Sequence, residues 1–210
     1  EGSALRNFME GFRYAMSDMP MRSALILLSV LSLLGLQYSV FMPIFAQDIL
    51  HGGARSLGLL MSAAGVGALF GALHFAARSN YKGLARFIAA TSFTCAVGLI
   101  VFSQSRIFLL SLAVLMIVGF AATAHMAATN TIIQSRVPDE LRGRVMAVYA
   151  SMFMGVQPVG ALLAGVVAHR IGVQLTLTMF GTVCLAGSLV FIFRVVARIQ
   201  QERAASSQAG

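Results

Sequence analysis

The chain has 210 residues, 58% of them hydrophobic and only 10% charged, where a soluble domain carries about a quarter charged residues. A net charge of +8 would suit a nucleic-acid binder, but the basic residues punctuate long apolar runs instead of gathering on one polar face, which excludes that class. The mean hydropathy of +0.84 points to lipid as the solvent.

In chain order, residues 1–21 read as an interfacial linker helix rather than a span. Leu5, Phe8, Met9, Phe12 and Met16 fall near helical spacing, with Arg6, Glu10 and Arg13 elsewhere on the wheel. Asp18 and Pro20 predict a break before the first span. Six apolar runs follow, bracketed by Arg22 and Gln47, Arg55 and Arg78, Arg86 and Arg106, Arg106 and Arg136, Arg144 and His169, and Arg170 and Arg194. None contains Lys, Arg, Asp or Glu. A helix crosses a bilayer with about 20 mostly apolar residues, and nothing here alternates with the period of two that a membrane barrel needs. The predicted fold is an all-α integral membrane protein, with six transmembrane helices forming a bundle over 22–198. The tail, 199–210, is small and polar and is predicted to be disordered.

Orientation follows from Lys and Arg in the short loops. From the N-terminal segment to the tail, successive connections hold 3, 1, 3, 1, 3, 1 and 3 basic residues. That alternation places both ends of the chain on the cytoplasmic side and supports the number of spans independently of hydropathy. A multi-pass membrane protein with both ends of the chain cytoplasmic is the expectation.

Polar residues inside spans carry the functional expectation. Gln37 and Tyr38 fall near the midplane of the first span, beside Gly35, and Pro43 lies beyond them, where it should bend the helix. Gln157 has matching depth on the fifth span and precedes Pro158. The two glutamines either line one cavity or bond helices together. His125, deep in the fourth run, carries a proton, contacts substrate, or bonds a neighbouring helix. No carboxylate falls at hydrocarbon depth. Met152 and Met154 suit a lipophilic pocket or fill a core. Cys95 and Cys184 read as small core residues; no metal site and no cofactor is expected.

Small residues four apart, Ala63, Gly67 and Gly71 on the second span and Ala161 and Gly165 on the fifth, predict close helix contacts. V-G-A-L recurs at 66–69 and 159–162, in the middle helix of each three-helix set. Because those helices cross in opposite directions, the repeat predicts a 3+3 inverted arrangement.

The most charged stretch reads V-P-D-E-L-R-G-R-V-M-A-V-Y, residues 137–149. Pro138, Asp139 and Glu140 predict a helix start with acids at the positive end of its dipole. Arg142 and Arg144 anchor the next span on the cytoplasmic side. The same four charges, Asp139, Glu140, Arg142 and Arg144, also suit a gate whose pairings change between states.

That stretch, followed by G-V-Q-P-V-G-A-L-L-A-G at 155–165, resembles the tenth-to-eleventh helix region of major facilitator superfamily exporters, in the branch of enterobactin exporters and macrolide or multidrug efflux pumps. E-G-F-R-Y-A-M-S-D-M-P-M-R-S-A-L, residues 10–25, resembles the branch's central linker entering the seventh helix. The chain departs from the superfamily's loop signature at 71–86, where the basic residues persist but the Asp is missing. The resemblance implies the C-terminal half of a twelve-helix transporter, alternating access, and export of a small lipophilic or amphiphilic molecule against protons. Gln37, Tyr38, Phe41, His125 and Gln157 would line the cavity. The partners implied are the small-molecule substrate, protons, membrane lipid and the N-terminal six-helix half, with no nucleic acid. By this reading the chain does not transport alone. A lysophospholipid flippase or a non-transporting sensor or scaffold on the same fold is the alternative. A membrane enzyme is not expected, since no H-x-x-x-H or D-x-x-D cluster is present.

Overall fold

A computed structural model describes residues 2–78 and 83–196; the 199–210 tail, Lys82, Arg198 and Arg203 lie outside the described residues. A short helix, α1 (Gly2–Ser17), precedes six long ones. These are α2 (Met19–Ile49), α3 (Ala54–Ala76), α4 (Leu84–Gln104), α5 (Phe108–Gln134), α6 (Asp139–Ile171) and α7 (Val173–Arg194). Among the described residues there is no strand. Each of α2 to α7 is long and apolar enough to cross a membrane, since at ~1.5 Å per residue about 20 residues cover the hydrocarbon. The chain is a multi-pass membrane protein.

Local chemistry sets the helix boundaries. Asp18 separates α1 from α2, and its carboxylate accepts from the Met21 backbone N–H at 3.2 Å. Pro20 sits in that first turn, where a missing N–H costs nothing. Gly83, at φ +78°, precedes α4, and Gly172, at φ +85°, makes the corner between α6 and α7; only glycine enters this backbone region without strain. Asp139 and Glu140 occupy the first turn of α6, directly after Pro138.

In hydrocarbon, helix association relies on close van der Waals packing of small residues. Gly67 and Gly71 of α3 lie against the backbone of Met116 and Phe120 on α5, and Gly119 of α5 lies in return against the backbone of Ala64. This is the face that the spacing of Ala63, Gly67 and Gly71 predicts. Gly98 of α4 receives Val118 of α5, and Gly181 of α7 receives Ile100 of α4. The core lies among α2, α4, α5 and α7, with Leu25, Leu99, Leu115 and Leu177 fully buried. Phe45 stacks on Phe102 there, ring centroids 4.5 Å apart. Cys95 and Cys184 are buried free thiols within it.

On α6 the close contact differs from the expected one. Gly160 and Ala164 are buried, with Gly160 against the Leu33 carbonyl of α2, whereas Gly165 faces open space. Two adjacent rows of small residues run along this helix, and both have the spacing for close approach. Which row faces α2 is decided by how the helix is rotated in the bundle.

Adding a side chain at Gly119 should therefore force α3 and α5 apart. We expect Gly119→Val to lower the stability of the detergent-solubilised protein by about 1–3 kcal/mol or more, whereas Gly165→Ala leaves it unchanged; thermal unfolding of the two variants compares them.

Candidate functional site

Two helices break their own backbone ladder at neighbouring places. α2 tightens into a 3₁₀ turn at Gly35–Gln37 and widens into a π-helical turn at Phe45–Ile49, with Pro43 between them. The first irregularity thus lies before the proline, not at it. α6 widens into a π-helical turn at Ser151–Gly155, immediately before Gln157 and Pro158. Such turns leave carbonyls without their usual i+4 partners.

Side chains take those bonds over. The Gln37 amide donates to the Ser32 carbonyl at 3.2 Å, across the 3₁₀ turn of its own helix, and to the Gln157 carbonyl of α6 at 3.4 Å. The Ser32 hydroxyl donates to the Phe153 carbonyl, within the π-helical turn. Gln37 is only 3% exposed, so this amide is a helix-to-helix clamp.

Beside the clamp is a concavity of about 500 Å³. Gln37, Tyr38, Ser39, Met154, Gln157 and Pro158 contribute to its wall. Tyr38 and Gln157 are half-buried, and Met154 is 67% exposed. Polar groups at a few fixed points with apolar wall between them suit an amphiphilic small molecule.

The structure thus brings Gln37, Tyr38 and Gln157 together, and leaves two other predicted residues apart from them. Phe41 is buried in the core and does not line this concavity. His125 is also buried and away from it. The Ile88 backbone of α4 lies beside the imidazole without meeting hydrogen-bond geometry. Neither His125 nitrogen, nor the Thr129 hydroxyl one turn further along α5, has a hydrogen-bond partner among the described residues.

The charged stretch forms a second cluster. Arg142 pairs with Asp139 at 2.6 Å within the first turns of α6. Arg144 reaches Glu10 of α1 at 2.5 Å, and Arg136 reaches Asp18 at 3.4 Å. The Tyr14 hydroxyl donates to the Arg136 carbonyl at 3.3 Å. Gly11 permits this docking, since a Cβ there would come within 2.7 Å of the Arg144 backbone. Glu140 is exposed and has no ion pair among the described residues. Sequence reasoning does not find Ser32, Glu10 or Asp18 in these roles. A serine in a span carries no distinguishing pattern, and the ion-pair partners are more than a hundred positions apart.

Residues 2–209 match the major facilitator family described as transmembrane secretion effector. The chain belongs to that family. Among curated relatives of this family member, the multidrug efflux pump Tap of Mycolicibacterium fortuitum is 28% identical over 91% of the chain and 46% of its own length. The staphyloferrin A transporter of Staphylococcus aureus is 24% identical over 76% of the chain and 40% of its own. The enterobactin exporter EntS of Citrobacter koseri is 26% identical over 77% of the chain and 38% of its own. The family member described here thus spans less than half the length of these relatives. No solved structure matches it.

The α1–α6 contact is tested by exchanging charges. Glu10 and Arg144 are both partly exposed, and such pairs contribute about 0.2–1 kcal/mol. Glu10→Arg and Arg144→Glu should each destabilise the protein by no more than about 1 kcal/mol, and the double exchange should recover most of that loss. A double-mutant cycle at low and high salt measures it, with the coupling shrinking in salt.

Proposed function

We propose that this chain is one half of a secondary efflux transporter, and that the concavity between α2 and α6 is its share of the substrate path. The observation that supports this most is the pair of backbone breaks at Gly35–Gln37 and Ser151–Gly155, braced against each other beside an open, mixed-polarity wall. Discontinuous helices at a transporter's midplane form such sites. The cargo is a small lipophilic or amphiphilic molecule of the drug or siderophore class, a reading to which the relatives' names lend support. Tyr38 and Gln157 orient it, Met154 supplies adaptable apolar contact, and export proceeds by alternating access with proton counterflow. The carboxylates of the spans stand only at their ends, so His125 is this chain's candidate proton carrier. A second six-helix half completes the cavity against α3 and α6, the two least buried spans. Both ends of the chain face the cytoplasm, by the distribution of Lys and Arg. The Glu10–Arg144 pair between α1 and α6 then closes the cytoplasmic mouth in one state and parts in the other, with Asp139, Glu140 and Arg142 free to exchange partners beside it, while Phe41 acts through the core.

Gln157→Leu in the full-length transporter is the decisive variant. The bond to Gln37 uses the main chain of Gln157, so the substitution spares the clamp and removes only the side chain that faces the concavity. Losing one substrate hydrogen bond of about 1.4 kcal/mol corresponds to about a tenfold fall in transport. Efflux of drugs and siderophores from cells carrying the variant at normal membrane levels measures this, and undiminished efflux of every substrate would refute the assignment. The 210-residue chain alone in proteoliposomes should show no counterflow.

A further inference from the structure

On another side of the bundle, α2 and α7 leave a slot of about 180 Å³ between them. Its floor is Leu27 and Phe191, both buried, and its rims are Ile26 and Val190, each 49% exposed. Two arginines stand at one end: Arg22, one turn before Ile26, and Arg194, one turn after Val190. Both are exposed, and among the described residues neither has a carboxylate within ion-pair distance. By contrast, Arg136, Arg142 and Arg144 on the same basic side are all paired. Gly187 opens the slot, since a Cβ there would meet Leu27 at 3.6 Å and Val30 at 3.7 Å, in contact without clash.

We infer that this slot binds an anionic phospholipid, its phosphate held between Arg22 and Arg194 and one acyl chain lying along Ile26, Val30, Gly187 and Val190. The charge pattern selects the occupant. Two unpaired guanidiniums at one level of two spans attract an anion, and basic pockets between membrane helices hold lipid headgroups. The wall below them, Ile26, Leu27 and Val30 on α2 and Gly187, Val190 and Phe191 on α7, is apolar over about one turn of each helix, where a soluble anion gains nothing and a hydrocarbon chain fills the space. The orientation proposed above puts the lipid in the cytoplasmic leaflet, but the site does not depend on the transport reading.

Native mass spectrometry of the full-length protein, delipidated in detergent and mixed with equimolar phosphatidylglycerol and phosphatidylcholine, tests this. The wild type should retain phosphatidylglycerol over phosphatidylcholine by at least about tenfold, as two arginines at about 1 kcal/mol each imply. Arg22→Gln with Arg194→Gln should abolish the preference. Gly187→Leu, which fills the slot and leaves both arginines, should lower phosphatidylglycerol retention several-fold. Arg55→Gln, on the opposite loop, should change nothing. Each variant is compared at unchanged thermal stability. Equal retention of the two lipids by the wild type overturns the inference and indicates a slot covered by the other half of the protein. A preference that survives Gly187→Leu undiminished also overturns it, reducing the arginines to general surface charge. Competition by free glycerol phosphate as strong as by the lipid would show a soluble anion site instead.

Discussion

Inside hydrocarbon no water is available to a backbone carbonyl, so every break in a helix ladder has to be repaired by protein. α2 and α6 both break theirs, and side chains of α2 make the repairs: the Gln37 amide donates to Ser32 of its own helix and to Gln157 of α6, and the Ser32 hydroxyl donates to Phe153 of α6. The π-helical turn of α6 therefore relies on the polar side chains of α2 beside it. The concavity depends on this bracing, because straightening either helix would rotate Tyr38 and Gln157 away from a common wall. Gln37 takes part in both, since it braces the two helices and contributes to the wall of the concavity.

The rest of the bundle supplies a frame against which those two helices are held. Its contacts are made by glycine, through Gly67, Gly71 and Gly119 between α3 and α5 and Gly181 between α4 and α7. Lipid offers the same apolar surroundings as another helix, so close backbone approach replaces hydrophobic burial as the source of cohesion. A polar cluster adds to it at the ends of α4 and α7, where Ser103 and Gln104 meet Thr178 at 2.8 Å and 2.7 Å. Those bonds lie at the rim; deeper in the frame the buried Thr91, Ser92 and Ser188 bond carbonyls of their own helices, and His125 and Thr129 have no hydrogen-bond partner among the described residues.

The basic side of the molecule obeys a different physics. Glu10–Arg144 and Asp18–Arg136 are partly exposed, so water and salt weaken them. Salt and water thus loosen these pairs readily, whereas the close glycine contacts are packed against backbone. The outer face of α1, with Leu5 and Met9 exposed, carries no comparable contact with the bundle and has the pattern of a helix lying at a membrane surface. One short helix thus presents its glycine to α6 and its apolar stripe outward.

The number and approximate extent of the spans are legible in the sequence, because hydrocarbon thickness permits few charges over twenty residues and the arginines bracket each run. The close face of α3 is legible for a related reason: Ala63, Gly67 and Gly71 form a single small row. The polar residues Gln37 and Gln157 are conspicuous by depth, and their neighbourhood in space agrees with it. What the sequence leaves open is direction around the helix axis. Gly160 faces α2 and not Gly165, Phe41 enters the core one turn from Tyr38, and His125 turns into the bundle. Ser32 joins Phe153, and Glu10 joins Arg144, across more than a hundred residues. Composition and charge by themselves determine that this chain crosses a membrane six times, because the bilayer acts on every residue alike. Which side chains meet is decided only in the tertiary structure, because rotation about each helix is set by its neighbours and not by its own sequence.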